Sequence, residues 1–285
     1  MNSRPKDGFV QSFARGLGVI RSFGPDARVL TLSRVAERAG LTRAAARRIL
    51  LTLKALGYVA ADGRLFTLTP RILELGYSYL SSLQFWDVAE PVLDELAAAT
   101  RESCNIGVLD GVDIVYVMRV STHRILTTNF TIGTRLPAYV TSMGRVLLGG
   151  LSPKELARYA EIAELRPLTS KTVTSMARLR RIAKEGRRRG WVYVGGELEE
   201  GICGIAVPLL DARRRVIAAM SVSLSVSSAA EQHAIEVILP RLQRAAASVN
   251  STLSAVPTVS PVSGAIGRRA LPALDDPPSR SARRP

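Results

Sequence analysis

The segment LTRAAARRILLTLKALGYV, residues 41–59, is the feature that most constrains what this chain can fold into. Its apolar residues recur at the spacing of an amphipathic helix, and the stripe predicted to face a core consists of Ala46, Ile49, Leu50, Leu53 and Leu56. Thr42 is a suitable N-cap, and Gly40 and Leu41 make a tight turn after a shorter predicted helix over residues 31–39. Two helices joined by so short a turn predict a helix-turn-helix.

The flanking residues extend this pattern. Residues 9–23 have apolar side chains at helical spacing up to the breaker FGPD, which predicts a first helix. After Gly57 the segment YVAADGRLFTL alternates around Asp62-Gly63, which is a hairpin turn signal. Three helices followed by a β-hairpin are the order of a winged helix-turn-helix, which we place at residues 1–69.

Cations cover the outer side of the third helix. On a helical wheel Arg43, Arg47 and Lys54 lie along one flank, and Arg48 lies nearly opposite the core. The pattern is also typical of a solvated helix face, but the preceding turn and the basic hairpin favour a recognition helix in a DNA major groove. There an arginine can bond phosphates or guanine, and a small apolar residue can contact a thymine methyl group. We predict DNA contacts from Thr42, Arg43, Ala44, Arg47, Arg48, Lys54 and Arg64.

The charge distribution agrees with an N-terminal domain that binds a polyanion. The net charge of +15 favours nucleic acid or an anionic membrane as the partner. Residues 1–69 contain twelve Lys or Arg and four Asp or Glu, a net charge of +8, whereas residues 85–255 carry only +4. No apolar run approaches the roughly 20 residues of a membrane span. Because a secretion signal and a disulfide framework are also lacking, we expect a cytoplasmic protein that binds double-stranded DNA and no membrane.

The rest of the chain predicts a linker helix, a second domain and a tail. A helix over residues 70–84 begins at Pro70 and is apolar on more than one face, so a partner copy is expected to cover it. Helical and strand patterns then alternate over residues 85–256, which predicts an α+β domain. Residues 257–285 are rich in Pro, Ser, Ala and Arg, and we expect a disordered tail.

Turns and caps mark the elements of the second domain. We predict a helix over 87–100, two strands around Asp110-Gly111, a strand in RILTTNF, a short helix after Thr141, a capping box at Ser152 and Glu155, a basic helix over 175–189 that ends at Gly190, three strands in WVYVGG, GIAVPLLD and VIAAMSVSLSV, and a helix from near Ser228.

Five segments carry a resemblance to a known family: FARGLGVIRSFG, LTLSRVAERAGLTRAAARRILLTLKALGYV, FTLTPRILELGYSYLSS, GTRLPAYVTSMGRVLLGGL and ELEEGICGIAVPLLD. They resemble the IclR family of bacterial transcription regulators, and the resemblance covers about residues 9–250. Within the family, LTRAAARR, LELGYSYLSSL and RLPAYVTSMGRVLL are similar to regulators of protocatechuate and β-ketoadipate (pca) catabolism. The resemblance implies a winged-helix homodimer or tetramer, with a GAF-like C-terminal domain that binds a small organic acid as its effector.

The resemblance also implies where that effector binds. The matching positions are a loop entering a helix, residues after an acidic turn, and two serines on a late strand, namely Ser142, Met143, Gly144, Cys203, Gly204, Ser221 and Ser223. A helix start presents free N–H groups that favour a carboxylate, and serines two apart on a strand share one face. Met143 stands where a small residue is usual, and Cys203 stands one place before the family's pocket cysteine. We expect a small carboxylate such as protocatechuate, β-ketoadipate or a close relative, placed at the helix entry.

Other charged and reactive residues have competing interpretations. Arg124, Arg135 and Arg145 are candidates for a second carboxylate clamp or for surface salt bridges. Solvated loop charge is the prediction for Glu197, Glu199 and Glu200, and a small buried hydrophobe is the prediction for Cys104.

Other functional classes find less support in the sequence. His123 and His233 are isolated and no GxSxG nucleophile elbow occurs, so we expect no metal, no cofactor and no enzymatic activity. A regulator of another organic-acid pathway and an enzyme acting on small organic acids stay as alternatives. A constitutive DNA-organising protein would leave the large second domain without a role.

Overall fold

The computed structural model describes residues 8–83, 86–121, 130–226 and 230–254. The chain divides into two compact units, the first ending at Tyr79 and the second beginning at Leu80. This division lies inside the predicted linker, and the predicted boundaries at residues 69, 84 and 256 stay predictions. The expected tail, residues 257–285, lies outside the described residues. Within the described ranges, no helix has both the length and the apolar character needed to cross a membrane.

Three helices and a small sheet make up the N-terminal unit as far as residue 68. The elements are α1 (Gln11–Arg21), β1 (Val29–Thr31), α2 (Leu32–Arg38), α3 (Arg43–Ala55), β2 (Val59–Asp62) and β3 (Leu65–Leu68). The sheet is antiparallel in the order β1-β3-β2, so the predicted hairpin gains a third strand, β1, that the sequence analysis missed. The predicted winged helix-turn-helix is confirmed.

Local hydrogen bonds fix the turn between α2 and α3. Gly40 has a φ of +63°, a conformation that glycine adopts without steric cost. The N–H of Leu41 then donates to the carbonyl of Ala36 at 2.8 Å, and Thr42 Oγ1 accepts a hydrogen bond from the N–H of Ala45 at 3.3 Å. Both the predicted turn and the predicted N-cap of α3 are confirmed.

The apolar stripes of α1 and α3 are only partly buried. Ala46, Leu50 and Leu53 pack in the core of this unit as predicted, but Leu56 is 52% exposed, so its prediction as a core residue was wrong. Leu56 is the C-cap residue of α3, where the chain leaves the helix, and it borders an apolar groove between α1 and α3. Four large apolar residues in the first part of the predicted first helix are exposed too, namely Phe9, Val10, Phe13 and Leu17.

The helix predicted from Pro70 begins as a 3₁₀ turn. This turn spans Pro70–Ile72, and α4 (Leu73–Leu80) follows and ends four residues before the predicted end of the helix. No residue of α4 is buried in the chain, and its exposed large side chains are Leu73, Leu75, Tyr77 and Tyr79. The expected apolar surface of this helix is therefore present.

A six-stranded antiparallel sheet organises the C-terminal unit. Its strands are β4 (Ser103–Asp110), β5 (Asp113–Val120), β6 (Arg135–Pro137), β7 (Val192–Gly195), β8 (Ile202–Leu210) and β9 (Val216–Ser225), in the order β6-β5-β4-β9-β8-β7. The helices are α5 (Trp86–Thr100), α6 (Ser142–Gly150), α7 (Pro153–Ile162), α8 (Met176–Arg189), α9 (Ala230–His233) and α10 (Leu239–Leu253), with a π-helical turn over Ala234–Ile238.

The two faces of this sheet support separate hydrophobic clusters. Alternate strand residues point to opposite faces; in β8, Ile205 and Val207 pack with α5 and α10, whereas Ala206 packs with α6, α7 and α8. A helix layer on each face of an antiparallel sheet confirms the predicted α+β class.

Most predicted elements of this unit are observed. The helices, the strands and the capping box at Ser152 and Glu155 are confirmed, and Gly190 ends α8 at a φ of +79°. Strand β6 was not predicted. The predicted strand RILTTNF lies outside the described residues apart from Phe130, and so does Ser228, near which the last helical region was expected to begin.

Candidate functional site

The predicted DNA-contacting residues lie on the surface of the N-terminal unit. All of them are exposed, namely Thr42, Arg43, Ala44, Arg47, Arg48, Lys54 and Arg64. Among the residues that the structure describes, none of these five cations forms an ion pair with a carboxylate. Their charge is therefore available to a partner.

Helix α3 has two distinct cationic regions. Arg43, Arg47 and Lys54 follow one another at spacings of four and seven residues, which places them along one flank. Arg48 instead borders the apolar groove between α1 and α3, beside Ile49 and Thr52. The flank with Arg43, Arg47 and Lys54 can face a nucleic acid groove. Arg48 lies at the edge of the exposed apolar groove between α1 and α3.

The C-terminal unit contains a cavity between the sheet and the start of α6. Six of the seven predicted effector residues line it: Ser142, Met143, Cys203, Gly204, Ser221 and Ser223. Gly144 does not, and a Cβ atom built on it would lie 2.0 Å from the carbonyl oxygen of Ala138. Gly144 therefore lets α6 pack closely against the preceding 3₁₀ turn (Ala138–Val140).

Strand pairing and a helix cap bring these residues together. Gly204 is the register partner of Ser223 on β9, and a Cβ atom on Gly204 would lie 3.1 Å from Ser142 Oγ. Thr141 Oγ1 caps α6 by accepting a hydrogen bond from the N–H of Gly144 at 3.0 Å. The N–H groups of Ser142 and Met143 belong to the first turn of α6, so neither has a partner inside the helix.

Cys203 borders the cavity, but its thiol belongs to the cluster on the other face of the sheet. Its Sγ donates to the carbonyl of Leu224 at 3.5 Å, and burial raises the pKa of the thiol. Burial also raises the pKa of Cys104 to about 12, and this residue is fully buried, as predicted. Both thiols are therefore protonated near neutral pH, when neither is a good nucleophile.

Two residues that the sequence analysis missed form a polar row with Ser221 and Ser223: Arg119, which lines the cavity, and Asn105, which does not. Arg119 NH1 donates to Asn105 Oδ1 at 2.7 Å, and Asn105 Nδ2 donates to Ser223 Oγ at 3.1 Å and to Ser221 Oγ at 3.5 Å. Arg119 Nε donates to Ser121 Oγ at 2.9 Å. Burial lowers the pKa of Arg119, but an arginine remains charged at neutral pH.

Tyr116 and Phe130 give the cavity an aromatic part. Their ring centroids are 5.9 Å apart, and the Arg119 guanidinium lies 5.9 Å from the Tyr116 ring centroid. Burial raises the pKa of Tyr116 to about 12, so its hydroxyl is neutral. The wall thus combines apolar surface with hydroxyl, backbone N–H and guanidinium donors, which suits a small acidic ligand.

Glu197 and Arg145 differ from their predictions, because together they form a buried ion pair. Glu197 was predicted as solvated loop charge, but it lines the cavity, is buried, and pairs with Arg145. A buried carboxylate needs such a partner because desolvation of an unpaired charge is costly. Arg135 forms exposed salt bridges with Asp110 and Asp113. Of the two roles that the sequence left open for this residue, a carboxylate clamp or a surface salt bridge, the structure has the second. Arg124 lies outside the described residues.

Comparisons with known proteins agree with this architecture. A family model for the C-terminal part of the bacterial transcriptional regulator IclR matches residues 77–251, and a model for the IclR helix-turn-helix domain matches residues 12–63.

Two relatives and one solved structure extend the likeness over most of the chain. The Pca regulon regulatory protein of Pseudomonas putida is 40% identical over 235 residues, covering 82% of this chain and 81% of that protein. The Pca operon regulatory protein of Acinetobacter baylyi is 35% identical over 249 residues, covering 86% and 90%. The structure of an IclR homolog from Microbacterium hydrocarbonoxydans complexed with 4-hydroxybenzoate aligns with a TM-score of 0.77 at 26% identity, covering 86% of this chain and 100% of that one. The chain therefore belongs to the IclR family of bacterial transcriptional regulators.

Proposed function

We propose that this protein is a cytoplasmic DNA-binding regulator of protocatechuate and β-ketoadipate catabolism that responds to a small aromatic or keto acid. The observation that carries the proposal is the presence, in one chain, of an exposed cationic helix and a separate cavity with polar donors. The names of the two Pca regulatory relatives support the pathway. The 4-hydroxybenzoate in the Microbacterium homolog supports an aromatic acid as the class of effector.

Operator recognition is the proposed role of α3 and the hairpin. The flank with Arg43, Arg47 and Lys54 would enter the major groove of double-stranded DNA, and Arg64 near the hairpin tip would contact the backbone. Thr42 and Ala44 at the start of α3 complete this flank, and Arg48, at the edge of the groove between α1 and α3, is proposed to contact a phosphate outside the major groove. Phosphate neutralisation by these cations supplies affinity that falls as salt concentration rises.

Self-association is proposed as a homodimer or tetramer. Apolar side chains are exposed along α4 and at the start of the first helical stretch. Contact of such a surface with water is unfavourable, and contiguous apolar surface on a protein usually marks an interface. A two-fold dimer also presents two recognition helices to two half-sites of an operator.

Effector binding is proposed for the cavity beside α6. Ser142 and Met143 supply first-turn N–H groups, Ser221 and Ser223 supply hydroxyls, and Gly204 leaves room between them. This donor set suits the acceptor oxygens of a carboxylate or a hydroxyl group. We assign the chain a regulatory rather than an enzymatic role because its family consists of regulators.

Fluorescence anisotropy tests the whole proposal. A labelled duplex from the promoter region of a pca operon is titrated with protein at several salt concentrations, with and without protocatechuate. We expect tight, salt-sensitive binding whose midpoint changes with protocatechuate, because a ligand shifts an equilibrium by its differential affinity for two states. Equal binding to a scrambled duplex would contradict the operator role, and a midpoint unaffected by any tested acid would contradict the effector role.

A further inference from the structure

We propose that Arg119 binds the carboxylate of the effector, and that the effector is an aromatic monocarboxylate with a hydroxyl group at its opposite end. This inference rests on the proposed function, because it assigns a ligand group inside the same cavity. It also moves the carboxylate away from the start of α6, where the sequence analysis expected it.

The charges of the cavity wall favour one anion. The charged side chains that line it are Arg119 and Glu197. Glu197 is already compensated by Arg145, whereas in the part of the chain that the structure describes Arg119 forms no ion pair. One positive charge therefore remains for a ligand to neutralise. Arg119 is half-buried and has lost part of its hydration, so a ligand anion beside it stabilises the charged guanidinium.

Arg119 is held in place by its neighbours with part of its binding capacity left over. NH1 and Nε donate to Asn105 and Ser121, and the Tyr116 ring lies beside the guanidinium. NH2 has no hydrogen-bond partner among the described residues. A fixed guanidinium with a free donor loses little entropy when it binds a carboxylate.

Arg119 also determines how the two serines present their hydroxyl groups. An arginine only donates, so the Asn105 atom that faces it must be the amide oxygen. The amide nitrogen of Asn105 therefore faces Ser221 and Ser223 and donates to their oxygens. Each serine hydrogen is then free to donate elsewhere, and a carboxylate, which accepts only, is the complementary ligand group.

The opposite side of the cavity disfavours a second carboxylate. Three strands separate β5, which carries Arg119, from β7, and Glu197 follows β7. Glu197 is tied to α6 through Arg145, so this ion pair has no positive charge left over to neutralise a second ligand carboxylate at the start of α6. A ligand hydroxyl there can instead accept from a first-turn N–H group or donate to Glu197. A ring between these ends would contact Tyr116 and Phe130.

Titration calorimetry with paired ligands tests the assignment. The probes are 3,4-dihydroxybenzoate, its neutral carboxamide and the aliphatic dicarboxylate adipate. For the wild type, we expect the acid to bind about 10- to 100-fold more tightly than the amide, the range for a charged hydrogen-bonded contact. We expect adipate to bind more weakly than the aromatic acid.

Variants of two arginines complete the test. Arg119→Gln should weaken binding of the acid by about 10- to 100-fold and leave the amide nearly unchanged, which abolishes the preference for the acid. Arg135→Gln is the matched control, since Arg135 pairs with Asp110 and Asp113 away from the cavity and should leave both affinities unchanged. Arg119→Lys keeps the charge without the planar fork and should show a smaller loss, which provides a second reading if Arg119→Gln folds poorly.

Each remaining outcome has one meaning. An acid preference that survives in Arg119→Gln, or an equal weakening of acid and amide in Arg119→Lys, overturns the assignment of the carboxylate. Equal weakening of acid and amide would show that Arg119 only supports the wall, and tighter binding of adipate would overturn the monocarboxylate class. A wild type that binds none of the three probes instead contradicts the proposed effector site itself.

Discussion

Arg145 and Glu197 form a buried ion pair, with Arg145 NH2 2.6 Å from Glu197 Oε2. Their side chains are only 3% and 9% exposed. Arg145 Nε also donates to the carbonyl of Tyr139 at 2.9 Å, and the N–H of Val173 donates to Glu197 Oε2 at 2.8 Å. The pair therefore joins the 3₁₀ turn before α6, α6 itself, the turn after β7 and the segment before α8, and three of these four elements contribute residues to the cavity wall.

Removal of one member of this pair should destabilise the protein. Glu197→Ala leaves the Arg145 charge buried without a partner, so we expect a loss of about 3–5 kcal/mol in the free energy of unfolding. Urea denaturation followed by circular dichroism measures the change. Glu164→Ala is the control, because Glu164 pairs with Arg166 at the same distance of 2.6 Å on the protein surface. The Arg166 side chain is 77% exposed and the Glu164 side chain 73% exposed. The control should lose at most about 1 kcal/mol; equal losses in the two variants would contradict a special role for burial.

The arginines of α3 should dominate operator binding. We expect Arg47→Ala to weaken binding by about 1–3 kcal/mol if Arg47 contacts guanine, and to relax sequence preference at one position in each half-site. The triple change of Arg43, Arg47 and Arg48 to Ala should abolish specific binding. Arg158→Ala removes the same charge from an exposed position on α7 and serves as the control in the same anisotropy titration. Unchanged binding by the triple variant would rule out α3 as the recognition helix.

Self-association should depend on the exposed side chains of α4. Leu75 is 51% exposed, and Leu75→Asp should shift the protein towards monomers and weaken operator binding, because a monomer contacts only one half-site. Analytical ultracentrifugation at micromolar concentration measures the shift. Leu168→Asp introduces the same change at a site that is 46% exposed in the C-terminal unit, and should leave the oligomer intact. Leu80 is a poor target because it packs against the core of the C-terminal unit. A monomeric wild type would contradict the expectation outright.

Short-range signals account for the parts of the fold that the sequence predicts correctly. The Thr42 cap, the Gly40 turn and the Ser152 capping box each depend on residues within five positions of one another. The errors involve contacts that local patterns do not encode. Glu197 looks like loop charge in the sequence because its partner, Arg145, is 52 residues away.

In the candidate cavity too, the sequence predicts what depends on neighbouring residues and misses what depends on contacts between distant ones. Period-two alternation alone places Ser221 and Ser223 on one face of β9. Arg119 was missed because its position beside them depends on the pairing of β5 with β4 and of β4 with β9. The one available signal was a single cation in the otherwise apolar stretch IVYVMRV, which a strand facing only a hydrophobic core would exclude.

The two serines of β9 should determine the effector response without affecting operator contact. Ser221→Ala combined with Ser223→Ala removes two hydroxyl donors and leaves Asn105 Nδ2 without its acceptors, so the affinity for 3,4-dihydroxybenzoate should fall. DNA affinity in the absence of effector should remain close to that of the wild type, since both serines lie in the C-terminal unit and α3 lies in the N-terminal unit. Ser225→Ala is the matched control, because Ser225 is exposed on the same strand and does not line the cavity.

Calorimetry measures effector binding and anisotropy measures DNA binding on the same preparations. Since a ligand alters operator affinity only through its preference for one protein state, loss of effector binding must also remove the effector-dependent change in the DNA midpoint. A double variant that keeps the full response would place the effector outside this cavity.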